Sequence, residues 1–342
     1  MRLLALIVIL CTLLVPLPTH AQTIRRCTEQ ALDNALDRAQ DGDVLVFNCS
    51  GTITLTSTQV IRRSVTLDAS GHDVTIDGGN AVRLFHIMPE ATVVIQGLNF
   101  TRGSAESGGS AINNQGSLTL VNSTLRENVH AVANFGTMIV RDSTFADNNG
   151  VGIYNSGDLL VQSSTFTGNT HGIDNASGVV TVANSTFAHN HFLLRQGIGA
   201  GIANSGTVTV INSTFYSNTA PAGGGAVGTH RGGQVTLINS ILANSGASGN
   251  CFGPMIDGGG NLQFPDSSCG DSIPVADPLL HELADNGGLT LALSEDSPAI
   301  GAADADSCAG EAVGGVDQHG AARFADDDDA CDIGAFEYGA HR

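Results

Sequence analysis

Three groups of residues in this chain are of types that could do chemistry. The first is Arg195 with His191, both inside the stretch "HFLLRQGIG". The chain has no lysine, and its 14 basic residues are all arginine. Elimination from a uronic acid needs a strong base and a neutralising cation. Arg195 is the best-placed base for such a step, with His191 assisting. The same two residues would equally serve to keep an exposed loop solvated, so neither is assigned as catalytic. The second group is acidic. Glycosidases place two carboxylates across one sugar, but Asp142, Asp158 and Asp174 fall at different points of the repeating unit described below, and no pair is expected. "DDDD" (326–329) contains Asp327 and Asp329 as candidate Ca²⁺ ligands, since calcium prefers carboxylate oxygens. Consecutive aspartates cannot all face one ion, and a solvated loop is the preferred reading; no cofactor is assigned. His130 and His171 share a phase two units apart, too far to share a metal.

The third group is cysteine. Seven occur, and Cys11 lies in an apolar leader, "MRLLALIVILCTLLVPLPTHA", that reads as a signal peptide over 1–21. Pro16 and Pro18 cut its apolar run short of the ~20 residues that span a membrane. The six remaining cysteines suit disulfides in an exported chain. Neighbours along the sequence are the expected pairs: Cys27 with Cys49, Cys251 with Cys269, and Cys308 with Cys331. No CxxC spacing points to zinc.

The formal charge is −19, which disfavours nucleic acid and anionic membrane surfaces as partners. Only 14% of residues are charged while 42% are hydrophobic, unlike a disordered acidic chain. Glycine is abundant at 43 residues and tryptophan is absent, a composition suited to tight turns and thin layers.

One phrase accounts for that composition. "GSLTLVNSTL" from Gly116 recurs as "GTMIVRDSTF", "GDLLVQSSTF", "GVVTVANSTF", "GTVTVINSTF" and "GQVTLINSIL". Successive corners at Asn122, Asp142, Ser163, Asn184, Asn212 and Asn239 lie 20, 21, 21, 28 and 27 residues apart. Period-2 alternation predicts an inward set that includes Leu118, Leu120, Val140, Val161, Val182 and Val210. Bulky residues follow each corner: Leu125, Phe145, Phe166, Phe187, Phe215 and Leu242. A short strand precedes each phrase. One unit cannot bury its own face, but stacked units can. Three β segments per unit with Gly/Asn corners predict a parallel β-helix of about nine or ten coils, ~4.8 Å apart. Asn114, Asn134, Asn155, Asn175 and Asn204 should form an amide ladder and accept left-handed backbone at the corners. "CTEQALDNALDRAQDGD" predicts a short helix over the first coil, its apolar face made by Ala31, Leu32, Ala35, Leu36 and Ala39. Three units carry insertions, "RGSAESGGS", "HFLLRQGIG" and "TAPAGGG", which leave such a solenoid as loops.

The coil phrase "NSTF", the "NxG" corner and the Asp-Gly-rich first coils resemble right-handed parallel β-helix proteins of the pectin-lyase-like type. The segment from Asp277 to Tyr338, with "DPLLHELADNGGLTLALSEDSPAIGAAD", "DQHG" and "CDIGAFEY", resembles the choice-of-anchor Q module of secreted bacterial β-helix proteins. This chain has His319 where that family usually has arginine. The resemblance implies a module at the C-terminal end of the solenoid and export to the medium or cell surface. It carries over no catalytic residue and names no anchor.

The resulting expectation is an all-β chain: signal peptide 1–21, β-helix with helical cap 22–250, and a C-terminal module 251–342. It is expected to be a monomer without a transmembrane segment in its mature form. Its expected role is adhesion or binding to an extracellular polysaccharide or surface protein, without catalysis. The alternative is a polysaccharide lyase or hydrolase working beside the inserted loops.

Overall fold

The computed structural model describes residues 20–193, 195–230, 232–285, 289–324 and 330–340. Among them, three parallel sheets of eleven, nine and ten strands form the walls of a solenoid, and neighbouring strands in each sheet come from successive coils. Each coil contributes one strand to each wall. A representative coil runs Ile112–Asn114 in the nine-stranded sheet, Ser117–Val121 in the eleven-stranded sheet and Thr124–Arg126 in the ten-stranded sheet. The solenoid has about eleven turns, more than the repeat phrase alone suggested. The additional strands, Ala21–Ile24 before the helix and Ile256–Asp257 after the last clear phrase, are too worn to read as repeats.

Strict register stacks like on like. Leu118 pairs with Met138, Met138 with Leu159 and Leu159 with Val180, and all four are buried. Phe145, Phe166, Phe187 and Phe215 stack nearly parallel with centroids 4.6, 4.6 and 4.7 Å apart. The ladder amides bond in series, Asn114 to Asn134 at 2.7 Å, Asn134 to Asn155 at 2.7 Å, Asn155 to Asn175 at 3.0 Å and Asn175 to Asn204 at 2.8 Å. Their backbones are not left-handed. Positive φ belongs to the opposite corner, at Asn122, Asp142, Ser163, Asn184, Asn212 and Asn239, which corrects the expectation. A second buried ladder, Asn128, Asn148, Asn169, Asn190 and Asn218, follows the third strand. The glycine that opens each phrase permits close stacking. A Cβ at Gly157 would lie 1.9 Å from the carbonyl oxygen of Gly136.

The cap helix spans Glu29–Arg38, with Thr28 accepting from the Ala31 amide and Leu32 and Ala35 buried on the first coil. Disulfides join Cys27 to Cys49, Cys251 to Cys269 and Cys308 to Cys331. The first pins the segment before the helix, and the second draws Cys269 and Ile273 into the core at the far end. The predicted signal peptide lies outside the described residues except for His20 and Ala21. No helix among the described residues is long and apolar enough to cross a membrane.

Residues from Leu289 onward do not extend the solenoid axially. They return along its side over four successive coils. Gln162 donates to Ala312 O, Asn184 to Val313 O and Val316 O, Asn212 to Asp332 O and Asn239 to Asp304 O. The key of this contact is Arg323, 1% exposed. It donates to Asn184 Oδ1, Glu337 Oε2 and the carbonyls of Val316, Asp332 and Gly334. Asp317 accepts from the amides of His319, Ala321 and Glu337, and Asp332 accepts from those of Gly301 and Tyr338. The motif residues of "DQHG" and "CDIGAFEY" are thus a buried scaffold around one guanidinium.

Candidate functional site

The inserted loops leave the solenoid at one corner, between the ten-stranded and nine-stranded sheets. Loop 102–110 and loop 191–199 are four coil steps apart, about 19 Å at ordinary strand spacing. The coils between them turn with short corners, so the two loops stand as walls beside the nine-stranded sheet. Arg83 ties down the first wall by donating to the carbonyls of Gly109 and Ser107. The second wall is braced from within and behind. Phe192 packs on the His171 ring at 4.2 Å, and bridges link His191 to Thr219 and Ile198 to Gly223 of the third insertion.

Beside the first wall lies a recess of about 360 Å³ whose lining includes Gly108, His130, Ala133, Phe135, Tyr154 and Asp174. Sheet register sets its floor. Asn113, Ala133, Tyr154, Asp174 and Ala203 occupy one outward column. Phe135, at the next corner, is 48% exposed and its ring lies 5.9 Å from that of Tyr154. Ser156 Oγ donates to the Tyr154 hydroxyl at 3.3 Å. Burial raises the Asp174 carboxyl, and His230 partly offsets that rise. Burial lowers His130 and brings His171 down to about 4, so both imidazoles are neutral near pH 7. His130 Nδ1 accepts from the Val151 amide at 3.2 Å.

The arrangement offers an exposed aromatic platform, one carboxyl one coil away and the neutral His130 imidazole at the rim. Aromatic faces stack on apolar faces of ligands while the carboxyl and hydroxyl groups accept or donate hydrogen bonds. A single carboxylate does not make the pair required by glycosidase chemistry. Asp142 stands at a left-handed corner of another wall and Asp158 begins a strand of the eleven-stranded sheet, so neither joins Asp174. Arg195 is exposed on the second wall. His191 is exposed too, its Nδ1 2.7 Å from Thr219 Oγ1, with burial and then His189 lowering its pKa. His130 and His171 flank Val151 in one column, one coil on either side. Asp327 and Asp329 lie outside the described residues, and among the described residues no three metal-ligating side chains converge.

Tyr154, Asp174 and Phe135 were not singled out together by sequence reasoning, although a signal was present. Aligning "AINN", "AVAN", "GIYN", "GIDN" and "GIAN" shows one variable position between a β-branched aliphatic residue and a constant asparagine. Inward and corner positions are held constant by stacking, so variation marks the outward column.

The family described as "Right handed beta helix region" matches residues 83–242. No curated protein matches the chain. Among solved structures, pectate lyase Pel9A is similar with TM-score 0.52 and 16% identity, over 93% of this chain and 97% of that one. A PL6 alginate lyase complex with trisaccharide gives TM-score 0.42 and 14% identity, over 71% of this chain and 64% of that one. The family match and the likeness to pectate lyase Pel9A show the fold alone, the right-handed parallel β-helix, and no shared chemistry.

Proposed function

We propose that this chain is an exported, non-catalytic β-helix protein that binds an extracellular polysaccharide in the recess beside loop 102–110 on the nine-stranded sheet. The observation that carries this reading is the Phe135–Tyr154 platform beside Asp174 on a floor set by sheet register. A rigid, preformed aromatic surface with a few polar groups is a typical small-ligand arrangement, and an aromatic face suits the flat face of a sugar. Three disulfides support an oxidising compartment. Residues 251–342 act in this reading as a closing module that stiffens the far coils, in a protein released to the medium or held at the cell surface.

The test is retention of the purified chain on a panel of immobilised polysaccharides, with soluble products assayed in parallel. Retention on at least one glycan without turnover, weakened about tenfold or more in Tyr154→Ala through lost stacking, is the expected result. Product formation abolished by Arg195→Ala would replace this reading with an enzyme. Retention unaffected by Tyr154→Ala would move the binding surface elsewhere.

A further inference from the structure

Asp174 brings a carboxyl without a counter-charge into a recess that is otherwise mostly apolar and aromatic. Among the described residues it enters no ion pair and no side-chain hydrogen bond. Its neighbours in the outward column are Tyr154 on one side and Ala203 on the other, and neither offers a cation. Val132, Ala133, Phe135 and Val151 complete the apolar part of the lining. Arg83, which fixes the adjacent wall, is committed to the carbonyls of Gly109 and Ser107. Burial keeps the His130 imidazole neutral near pH 7. The His230 imidazole favours the charged form of Asp174, but less than burial opposes it. A half-buried carboxylate in apolar surroundings is costly unless a charge or several hydrogen bonds meet it. A cationic ligand removes that cost on binding.

The carboxyl also stands beside two rings. Tyr154 and Asp174 are paired on neighbouring strands, about 4.8 Å apart, and both line the recess. The Phe135 ring lies 5.9 Å from that of Tyr154. An ammonium within about 6 Å of a ring centroid is attracted by the ring face. At a spacing of one strand the same ammonium reaches the carboxylate.

We propose that this recess takes a protonated amine, and that the polysaccharide bound there is a cationic glycan of amino sugars with free amines. The inference rests on the binding reading above and narrows it. The ammonium donates to Asp174 and lies against the Tyr154 ring, while the apolar face of its sugar covers the Phe135 ring. A uronate would set its own carboxylate against Asp174, like charge on like. A neutral sugar would strip water from Asp174 without supplying a charge partner. The formal charge of −19 attracts a polycation over long range and repels a polyanion. A lysine-rich peptide carries the same charge, but its flexible stem gives the Phe135 ring no flat face to stack on.

The test is calorimetric titration of the whole protein at about pH 6, where free amines are protonated. The ligands are a glucosamine tetramer, an N-acetylglucosamine tetramer and tetralysine. Saturable binding of the glucosamine tetramer is expected, with the N-acetylated tetramer about tenfold or more weaker, the worth of one charge-assisted hydrogen bond. Asp174→Asn keeps the shape and removes the charge, and should weaken the glucosamine tetramer by a similar factor, as should Tyr154→Ala. Asp158→Asn removes the same charge from the eleven-stranded sheet and should leave binding unchanged. Equal or tighter binding of the N-acetylated tetramer, lost in Tyr154→Ala and indifferent to Asp174→Asn, would overturn this inference and leave the recess reading standing. Glucosamine binding indifferent to both Asp174→Asn and Tyr154→Ala would overturn the inference and the recess reading together. Absence of binding by the glucosamine tetramer, or tighter binding of tetralysine that depends on Asp174, would overturn the inference alone.

Discussion

The coils and the C-terminal segment are held by opposite strategies. In the coils the main stabilising contacts recur as series. Asn155 has Asn134 before it and Asn175 after it, and Phe166 sits between Phe145 and Phe187. In the C-terminal segment the decisive contacts occur once. Arg323 gathers five acceptors from Asn184, Val316, Asp332, Gly334 and Glu337. A repeated contact distributes the consequence of a single loss along the array, because solenoid stability is close to a sum of unit and neighbour terms. A contact made once carries the whole consequence.

The sharpest way to break that comparison is Arg323→Ala. It leaves Asp317, Asp332 and Glu337 buried around a missing cation. Burial disfavours charge on Arg323, Asp332 and Glu337, but the guanidinium keeps its proton, so Asp332 and Glu337 bear the strain. The expected loss is about 3–5 kcal/mol, confined to the docked segment. Hydrogen exchange should show the amides of Gly334 and Ala335, which bond to Asn239 and Thr214, losing protection while Val140 and Val161 keep theirs. Loss of protection throughout the coils would show that the two regions are one cooperative unit.

Titration sharpens the same contrast. Glu337 is pushed up to about 7, first by burial and then by Asp332. Its docked form therefore holds a proton that the undocked form, ordinarily near 4.5, releases. This group contributes nothing to the difference below the unfolded value and destabilises docking progressively as pH rises through about 7. Asp77 in the early coils runs the other way. Burial opposes its ionisation, but the Arg102 guanidinium and the Gly79 amide outweigh burial and hold it below the ordinary range. Its contribution is present above the ordinary carboxylate range and is lost as pH falls through its lowered value. Docking, followed by exchange at Gly334, should weaken from about pH 5 to pH 8, and Glu337→Gln should flatten that slope.

A coil substitution should cost less and stay local. Asn155→Ala interrupts the amide ladder and leaves neighbouring groups without a partner, at about 1–3 kcal/mol. Denaturant unfolding should register that loss with the docked segment still protected. The smallest effect belongs to the other end. Thr28→Ala removes the helix N-cap and should lower stability by about 1 kcal/mol, read as a lower denaturant midpoint with an unchanged slope.

How much was legible in the sequence follows the same division. The inward column, the phenylalanine stack and the first asparagine ladder repeat at nearly fixed steps, so periodicity exposes them. The second ladder repeats at the same steps as the corner residues, each of its asparagines six positions after a corner, so its signal was present and went unread. The side-on course of the C-terminal segment was not legible at all. Its bonds join residues 65 to 153 positions apart, as between Asn239 and Asp304 or Thr165 and Gln318, and no local pattern reports such a pairing. The recess lies between these extremes. Tyr154 and Asp174 share a readable position within the unit. That Phe135 completes a platform beside them, and that Gly108 of loop 102–110 borders it, depends on how the coils stack.

The most direct test of the central claim is hydrogen-exchange footprinting of the whole protein with a polysaccharide that retains it. Functional contacts are expected where the repeat varies, so protection should rise over Val132–Phe135 and Val151–Asn155 and in loop 102–110. Protection confined to the constant corners, or spread evenly along the coils, would contradict the account and return the recess to the scaffold.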